Sequence, residues 1–280
     1  MAEVRPDIKQ IIKTEYARCL HDPVYFMKKY VKIQHPKRGT VPFRLYPFQE
    51  ECIREFKDNP KNIILKCRQM GISTLTAAYS LWLMIFHKDK SVLVIATKQD
   101  VAKNMVTKVR FANDNLPSWI RRKETENNRT SLKLDNGSQI KAVSASADAG
   151  RSEALSLLIV DEAAFIDQID DIWTSVQSAM THGGGNAIIL STPNGMGNFF
   201  YRKWKEAEEG IGGFNTIKLH WTLHPEYNQA WRDDQDVLLG PKAAAQECDC
   251  LWGRSVVKIR NKDTNCEEWI TLEDLYKKIS

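Results

Sequence analysis

The sequence predicts an α/β fold, a mostly parallel β-sheet covered on both faces by helices. Three observations predict it. Short aliphatic or β-branched runs recur at residues 62–66, 91–96, 138–143, 155–160 and 186–190. Helical segments fall between several of them, at 73–87, 100–115 and 169–180, and this alternation builds parallel sheets. Two of the runs lead straight into short charged or glycine-bearing stretches, "KCRQMGIST" and "DEAAF", at the strand ends where open α/β sheets bind ligands.

In chain order, residues 1–58 read as helical and amphipathic, with Phe48, Cys52 and Phe56 of "LYPFQEECIREF" at helical spacing. The strand–loop–helix stretch "NIILKCRQMGISTLTAAYSLWLMIF" follows. "LKLDNGSQIKAV" predicts a hairpin, because Asn136-Gly137 between two alternating runs is a strong turn signal. "THGGGN" reads as a loop before the last core strand. Near Cys250 the character changes to two short strands around the polar turn "NKDTN" and then a short helix, a separate small unit. The organisation expected is therefore an N-terminal helical segment at 1–58, a core at 59–249 and a tail at 250–280.

With 280 residues, 42% hydrophobic and 27% charged, the chain has the composition of a globular protein with one sizeable core. The longest apolar run, Leu75 to Phe86, is shorter than the roughly 20 residues that span a bilayer, so no membrane helix is expected. The N-terminus has no apolar stretch of the secretory kind, so a cytoplasmic location is expected. Six cysteines lack metal-ligand spacing. A net charge of +5 permits a polyanionic partner without demanding one, and the best basic cluster, Arg121-Arg122-Lys123 beside Trp119, reads equally as a solvated helix end. No DNA-contacting residue is assigned.

A generic phosphate loop reads G-x-x-x-x-G-K-[ST], with backbone amides around the phosphates, a lysine on the outer phosphates and a hydroxyl on Mg²⁺. The aligned residues are Lys66, Cys67, Arg68, Gln69, Met70, Gly71, Ile72 and Ser73, so isoleucine stands at the lysine position and the lysine has moved to the strand end. Lys66 can still bring one point charge over the phosphates. Gly71 permits the tight turn, Ser73 and Thr74 open a helix whose N-terminus favours phosphate, Ser73 is a metal-ligand candidate, and Arg68 can neutralise charge on a transferred phosphoryl group. Alone, the loop reads equally as a buried turn with solvated cations. The second motif, "LSLLIVDEAAF", runs an aliphatic strand into Asp161-Glu162, which can divide metal orientation and general-base work; the bland reading is an acidic pair capping a turn. Both motifs in this order favour ATP and Mg²⁺ as ligands.

Three further stretches fit. Gln49 of "LYPFQ" carries an amide that can read the edge of adenine, with Tyr46 or Phe48 for stacking, or these side chains simply pack a helix. Ser191 and Thr192 of "ILSTPNG" can sense the γ-phosphate, or serve as turn chemistry. Arg151 lies on a loop ahead of the acidic strand, as a trans-acting arginine finger or as an ordinary exposed arginine.

"KCRQMGIST", "LLIVDEAAF" and "LSTPNG", with "LYPFQEE" upstream, together resemble the ATPase domain of the large terminase subunit of tailed bacteriophages over roughly residues 40–249. The resemblance implies a RecA-like (ASCE P-loop) fold, ATP hydrolysis driving viral double-stranded DNA into a procapsid, a homo-oligomeric ring on the portal, a small terminase subunit as partner, and the cytoplasm of an infected bacterium. Ile72 departs from members that keep lysine there, so Lys66 has to carry the charge. The family's RNase H-like nuclease domain would follow, and this chain stops before it, so no cutting is expected from it.

The tail "CLWGRSVVKI…EEWITLEDLYKK" is similar to the N-terminal block of inteins, especially the short N-fragments of atypically split inteins. Its pattern is Cys250, Gly253 and Ser255 with alternating strand residues, while Arg254 replaces a common aspartate and the later intein blocks are lacking. The similarity implies that the Cys250 thiol attacks the Asp249–Cys250 peptide to form a thioester, and that a separately encoded C-intein joined to the nuclease half completes trans-splicing. The rival readings are a superfamily 2 DNA helicase or translocase, a non-catalytic DNA-binding or assembly protein, and an ordinary hairpin at the end of a truncated gene.

Overall fold

The computed structural model describes residues 7–145, 154–251, 255–260, 262 and 264–279. The chain opens with α1 (Ile8–His21) and α2 (Pro23–Tyr30), then a hairpin of β1 (Lys32–His35) and β2 (Gly39–Pro42), then α3 (Pro47–Asp58). The core alternates β3 (Lys61–Lys66), α4 (Ile72–Phe86), β4 (Ser91–Ala96) and α5 (Gln99–Asp114). It continues through β5 (Glu124–Asn127), β6 (Ser131–Leu134), β7 (Gln139–Ser144), β8 (Leu157–Asp161), α6 (Ile169–Gly183) and β9 (Asn186–Ser191). After α7 (Phe199–Glu208) come β10 (Asn215–Leu219), α8 (Gln229–Leu239) and α9 (Pro241–Cys248), and finally β11 (Val256–Arg260), β12 (Glu267–Thr271) and α10 (Leu272–Ile279).

The main sheet has eight strands in the order β10-β3-β9-β8-β4-β7-β6-β5. From β10 to β7 all neighbours are parallel, and β6 and β5 add an antiparallel edge. Strands β3, β4, β8 and β9 are buried almost throughout, which is why they read as continuous aliphatic runs rather than alternating ones. The register puts Lys66 beside Leu219, Leu65 beside Ser191, and Asp161 between Leu190 and Ala96, so the ends of five neighbouring strands share one edge. Leaving β3, the chain crosses two strands before returning as β4, and this topological switch opens a crevice at that edge.

Three expectations need correction. Residues 1–58 are not helical throughout, because β1 and β2 form an antiparallel pair turned by Gly39 at φ 67°. β9 is not the last core strand, since β10 adds itself outside β3; its partly exposed edge position gives it no continuous apolar run. The "THGGGN" segment is not all loop, because α6 runs to Gly183 and stops at Gly184, whose left-handed φ of 62° caps it. The Asn136–Gly137 hairpin forms as expected between β6 and β7.

The hydrophobic core is continuous from Cys19 to Cys250. The N-terminal helices belong to it: the Trp82 indole donates to the Cys19 carbonyl at 2.8 Å and the Tyr79 hydroxyl to the Phe56 carbonyl at 3.1 Å. The β11–β12–α10 unit is largely exposed, with Trp269 70% accessible, and Lys205 on α7 reaches its Glu273 at 3.1 Å. The helices α8 and α9 are tied by a bidentate pair, in which Arg232 donates to both Asp249 oxygens at 2.7 and 2.8 Å and also to Asp236 at 2.6 Å. Arg232 is buried, so removing it leaves a cavity and takes the partner from the partly buried Asp249 carboxylate. Arg232→Ala is expected to cost up to roughly 3 kcal/mol, read as a lower urea midpoint, with Arg232→Lys recovering only part because it lacks the fork; a wild-type midpoint would mean that the pair does not hold α9.

Candidate active site

The site begins where β3 ends. Lys66 is buried at 6% exposure, and its ammonium donates to Glu162 Oε1 at 3.0 Å. Glu162 sits just past β8 in a left-handed conformation, φ 56°, which turns the chain into a single 3-10 turn at Ala163–Phe165 and leaves its carboxylate half-buried in the crevice. Asp161, 4% exposed, accepts a hydrogen bond from the Ser73 hydroxyl on Oδ2 at 2.8 Å, while its buried Oδ1 has no partner. Burial pushes the Asp161 carboxyl upward and the charge of Lys66 opposes that shift. The displaced lysine, the acidic pair and the helix-opening serine therefore meet within hydrogen-bond distance.

The loop between them explains the isoleucine. Ile72, Met70 and Cys67 are each 1% exposed or less, so their side chains anchor the loop to the core and only their backbones can face a ligand. Gly71 and Gln69 both take positive φ, 73° and 59°. Arg68 is half-buried and its amide donates to the Glu247 carbonyl at 2.8 Å; the Cys67 amide donates to Leu219 at 2.9 Å. Thr74 is half-buried at the start of α4.

Beside the loop, a cavity of about 540 Å³ is lined by Arg38, Arg44, Tyr46, Gln49, Gly71 and Thr74, among others. That size suits a nucleotide. Gln49 lines it, yet its amide is already engaged: Oε1 accepts from the Tyr46 amide at 3.1 Å and Nε2 donates to the Met70 carbonyl at 3.0 Å, so in this conformation the side chain braces the loop. Phe48 is buried, and Tyr46 lies edge-on to His224 at 4.7 Å. His224, Tyr227 and Trp231 continue as a stack with centroids 3.9 and 3.8 Å apart, and the Tyr227 hydroxyl reaches the Gln69 carbonyl at 3.4 Å. The hairpin wall and this stack left no motif in the sequence.

Ser191 and Thr192 are buried at the end of β9. The Ser191 hydroxyl accepts from the Ala164 amide at 3.1 Å, and Asn194 donates to the Ala164 carbonyl at 3.0 Å, so this strand end holds the turn that follows Glu162. Asn194 was not singled out from sequence; its place in "STPNG" was the only signal. Arg151 lies outside the described residues, as do Gly253 and Arg254. Arg121 pairs with Asp114, and Arg122 reaches Tyr16 and the Ile85 carbonyl, so the basic cluster makes structural contacts. Cys250 is fully buried in a left-handed conformation, φ 48°, with Sγ donating to the Leu219 carbonyl at 3.1 Å, and burial pushes its thiol up to about 12. Asp249 is held by Arg232.

The oxygen donors test the fit of a divalent cation. Among the described residues no group of three or more His, Cys, Asp or Glu could hold a metal. One hydroxyl and one carboxylate with an orphan oxygen suit a hard cation such as Mg²⁺, which keeps most of its shell for water and substrate phosphates. No helix among the described residues is long and apolar enough to cross a membrane.

A family model described as terminase large subunit, T4likevirus-type, N-terminal, matches residues 63–277. The chain is similar to the ATPase domain of the Thermus phage P74-26 large terminase, with 20% identity over 74% of this chain and 93% of that one, at a TM-score of 0.59. It is also similar to the HK97 bacteriophage large terminase, with 17% identity over 81% of this chain and 50% of that one, at a TM-score of 0.61. A third likeness is to the large terminase of a thermophilic bacteriophage in complex with ADP, with 10% identity over 77% of this chain and 55% of that one, at a TM-score of 0.62. These likenesses establish a RecA-like fold, and the chain spans about half the length of the last two proteins.

One substitution tests the loop itself. Gly71→Ala would put a methyl 2.9 Å from Gln49 Nε2 in a left-handed conformation. A loss of about 1–2 kcal/mol is expected in chemical denaturation; an unchanged midpoint would mean that the loop relaxes freely.

Proposed function

The chain belongs to the T4-like family of terminase large-subunit N-terminal domains, and from that premise we propose that it is an ATP-hydrolysing motor domain that drives viral double-stranded DNA into procapsids. The observation that carries this reading is the meeting of Lys66, Glu162, Asp161 and Ser73 at one sheet edge beside a nucleotide-sized cavity.

The roles follow from charge. Lys66 and Glu162 neutralise one another at 3.0 Å. A triphosphate entering the loop competes for the ammonium, and the released carboxylate can then accept a proton from the attacking water. The backbone from Gln69 to Ser73 cradles phosphate at the start of α4, where the Arg68 and Thr74 amides are already bonded to Glu247 and Gly71, and the Arg68 guanidinium answers charge on the transferred group. Ser73 and Asp161 would hold Mg²⁺, which supplies charge neutralisation on the phosphate oxygens. Ser191, bonded to the turn after Glu162, and Thr192 beside it couple the strand end to that carboxylate. Gln49 lies on the adenine side, where its amide would have to leave Tyr46 and Met70 to read the base, and Arg151 serves a neighbouring subunit. The portal, the small terminase subunit and a homo-oligomeric ring are the partners this reading implies, in the cytoplasm of an infected bacterium. Lys66→Ala is expected to lower ATP hydrolysis by at least about a hundredfold with the fold retained; hydrolysis at the wild-type rate would remove the displaced-lysine assignment.

For the tail we propose the N-fragment of a split intein, with Cys250 as nucleophile and a separate C-intein–nuclease chain as partner. Supporting it are the cysteine at the boundary and the small β11–β12–α10 unit beyond it; the family match, for its part, continues to residue 277. Burial holds the thiol protonated, so it has to give up that proton before it can attack. Co-expression with a candidate partner, read by intact mass, is expected to yield a ligated product from the wild type and none from Cys250→Ala; no product with any partner returns the tail to an ordinary hairpin.

A further inference from the structure

A charge that the proposed chemistry leaves unused lies on α5. Lys108 is half-buried and lines a cavity of about 140 Å³ with Thr74, Ala77 and Ala78 of α4, Phe111 of α5 and Ile33 of β1. It has neither a hydrogen bond nor an ion pair among the described residues. Lys66, by contrast, has Glu162 as its partner. A half-buried ammonium with no ion-pair partner in contact is unfavourable, so this wall is electrostatically incomplete.

The direction of the side chain says where the counter-charge belongs. α5 starts at Gln99, just beyond Ala96, and Ala96 pairs with Asp161 across β4 and β8. A helical side chain leans toward the start of its helix, so Lys108 leans back toward the catalytic edge. Burial lowers the Lys108 ammonium's pKa and the charge of Asp161 raises it, which places the two within electrostatic reach. Thr74 and Ile33 line both this cavity and the larger one beside the loop, so the two spaces adjoin near the N-terminus of α4.

We propose that Lys108 is a phosphate-contacting residue of the nucleotide site, completed by the terminal phosphate of a bound nucleoside triphosphate and left unpaired by a diphosphate. The proposal rests on the ATP-binding reading above. It adds a third cation to Lys66 and Arg68, one that approaches from the second helix rather than from the loop, and makes Lys108 the element that tells triphosphate from diphosphate.

The test compares ATPγS and ADP binding by calorimetry in the wild type, Lys108→Met and Lys108→Arg, with thermal denaturation of each protein without nucleotide. Lys108→Met is expected to weaken ATPγS about tenfold while leaving ADP within about twofold. Its melting temperature without nucleotide should be unchanged or raised, since an unpaired charge has been removed, and Lys108→Arg should recover most of the ATPγS affinity. Equal weakening of both nucleotides, or of neither, overturns the proposal, because a packing role or a solvated lysine would give those results. Amine-reactive footprinting of the wild type needs no variant: ATPγS should protect Lys108 where ADP does not, and equal labelling in both overturns it. A wild type that binds neither nucleotide overturns the ATP-binding reading and this one with it, whereas binding of both with an unchanged preference in Lys108→Met removes this one alone.

Discussion

The site depends on one constraint: two opposite charges are carried on strands that are not neighbours. Lys66 ends β3 and Glu162 follows β8, with β9 between them, and they still meet at 3.0 Å. Strands in a sheet lie roughly 5 Å apart, so a lysine stem is long enough to cross the intervening strand while a shorter side chain is not. The parallel register, the left-handed turn at Glu162 and the hydrogen bonds from the end of β9 to the Ala164 backbone all serve that crossing. Moving lysine from the helix side of the loop to the strand end changes the direction from which the charge arrives, and Ile72 is then free to seal the core beneath it.

Much of this was legible in the sequence because parallel strands buried on both faces appear as unbroken aliphatic runs, as at 62–66, 91–96 and 186–190. The two site motifs stood at the ends of such runs, where topology gathers ligand-binding residues. The elements that were missed are half-exposed. β10 is an edge strand with a mixed burial pattern, and the β1–β2 hairpin presents mostly polar residues to solvent, so neither carries a periodicity strong enough to stand out.

Side-chain roles were legible only where chemistry left little choice. Asp161, Glu162, Lys66 and Ser73 were read from residue type and position, and the fold brings them together. Gln49 shows the limit: its place was visible, but its commitment to Tyr46 and Met70 is a product of closure in three dimensions. Met70 and Cys67 likewise belong to the loop by sequence and to the core by side chain. Lys108 stood in an unremarkable amphipathic helix, and only the packing of α4 against α5 gives it a place.

The carbonyl of Leu219 accepts two donors, the Cys67 amide at 2.9 Å and the Cys250 thiol at 3.1 Å. It pins the start of the phosphate loop and the end of the C-terminal helical pair to a single oxygen, and the Arg68 amide on Glu247 adds a second pin one residue along. With Cys250 fully enclosed, the sulfur has no room to grow. The sulfur sits against β10 through the Leu219 carbonyl, and β10 lies directly against the strand that carries Lys66. A group attached to Cys250 would therefore disturb the same carbonyl that holds the start of the phosphate loop.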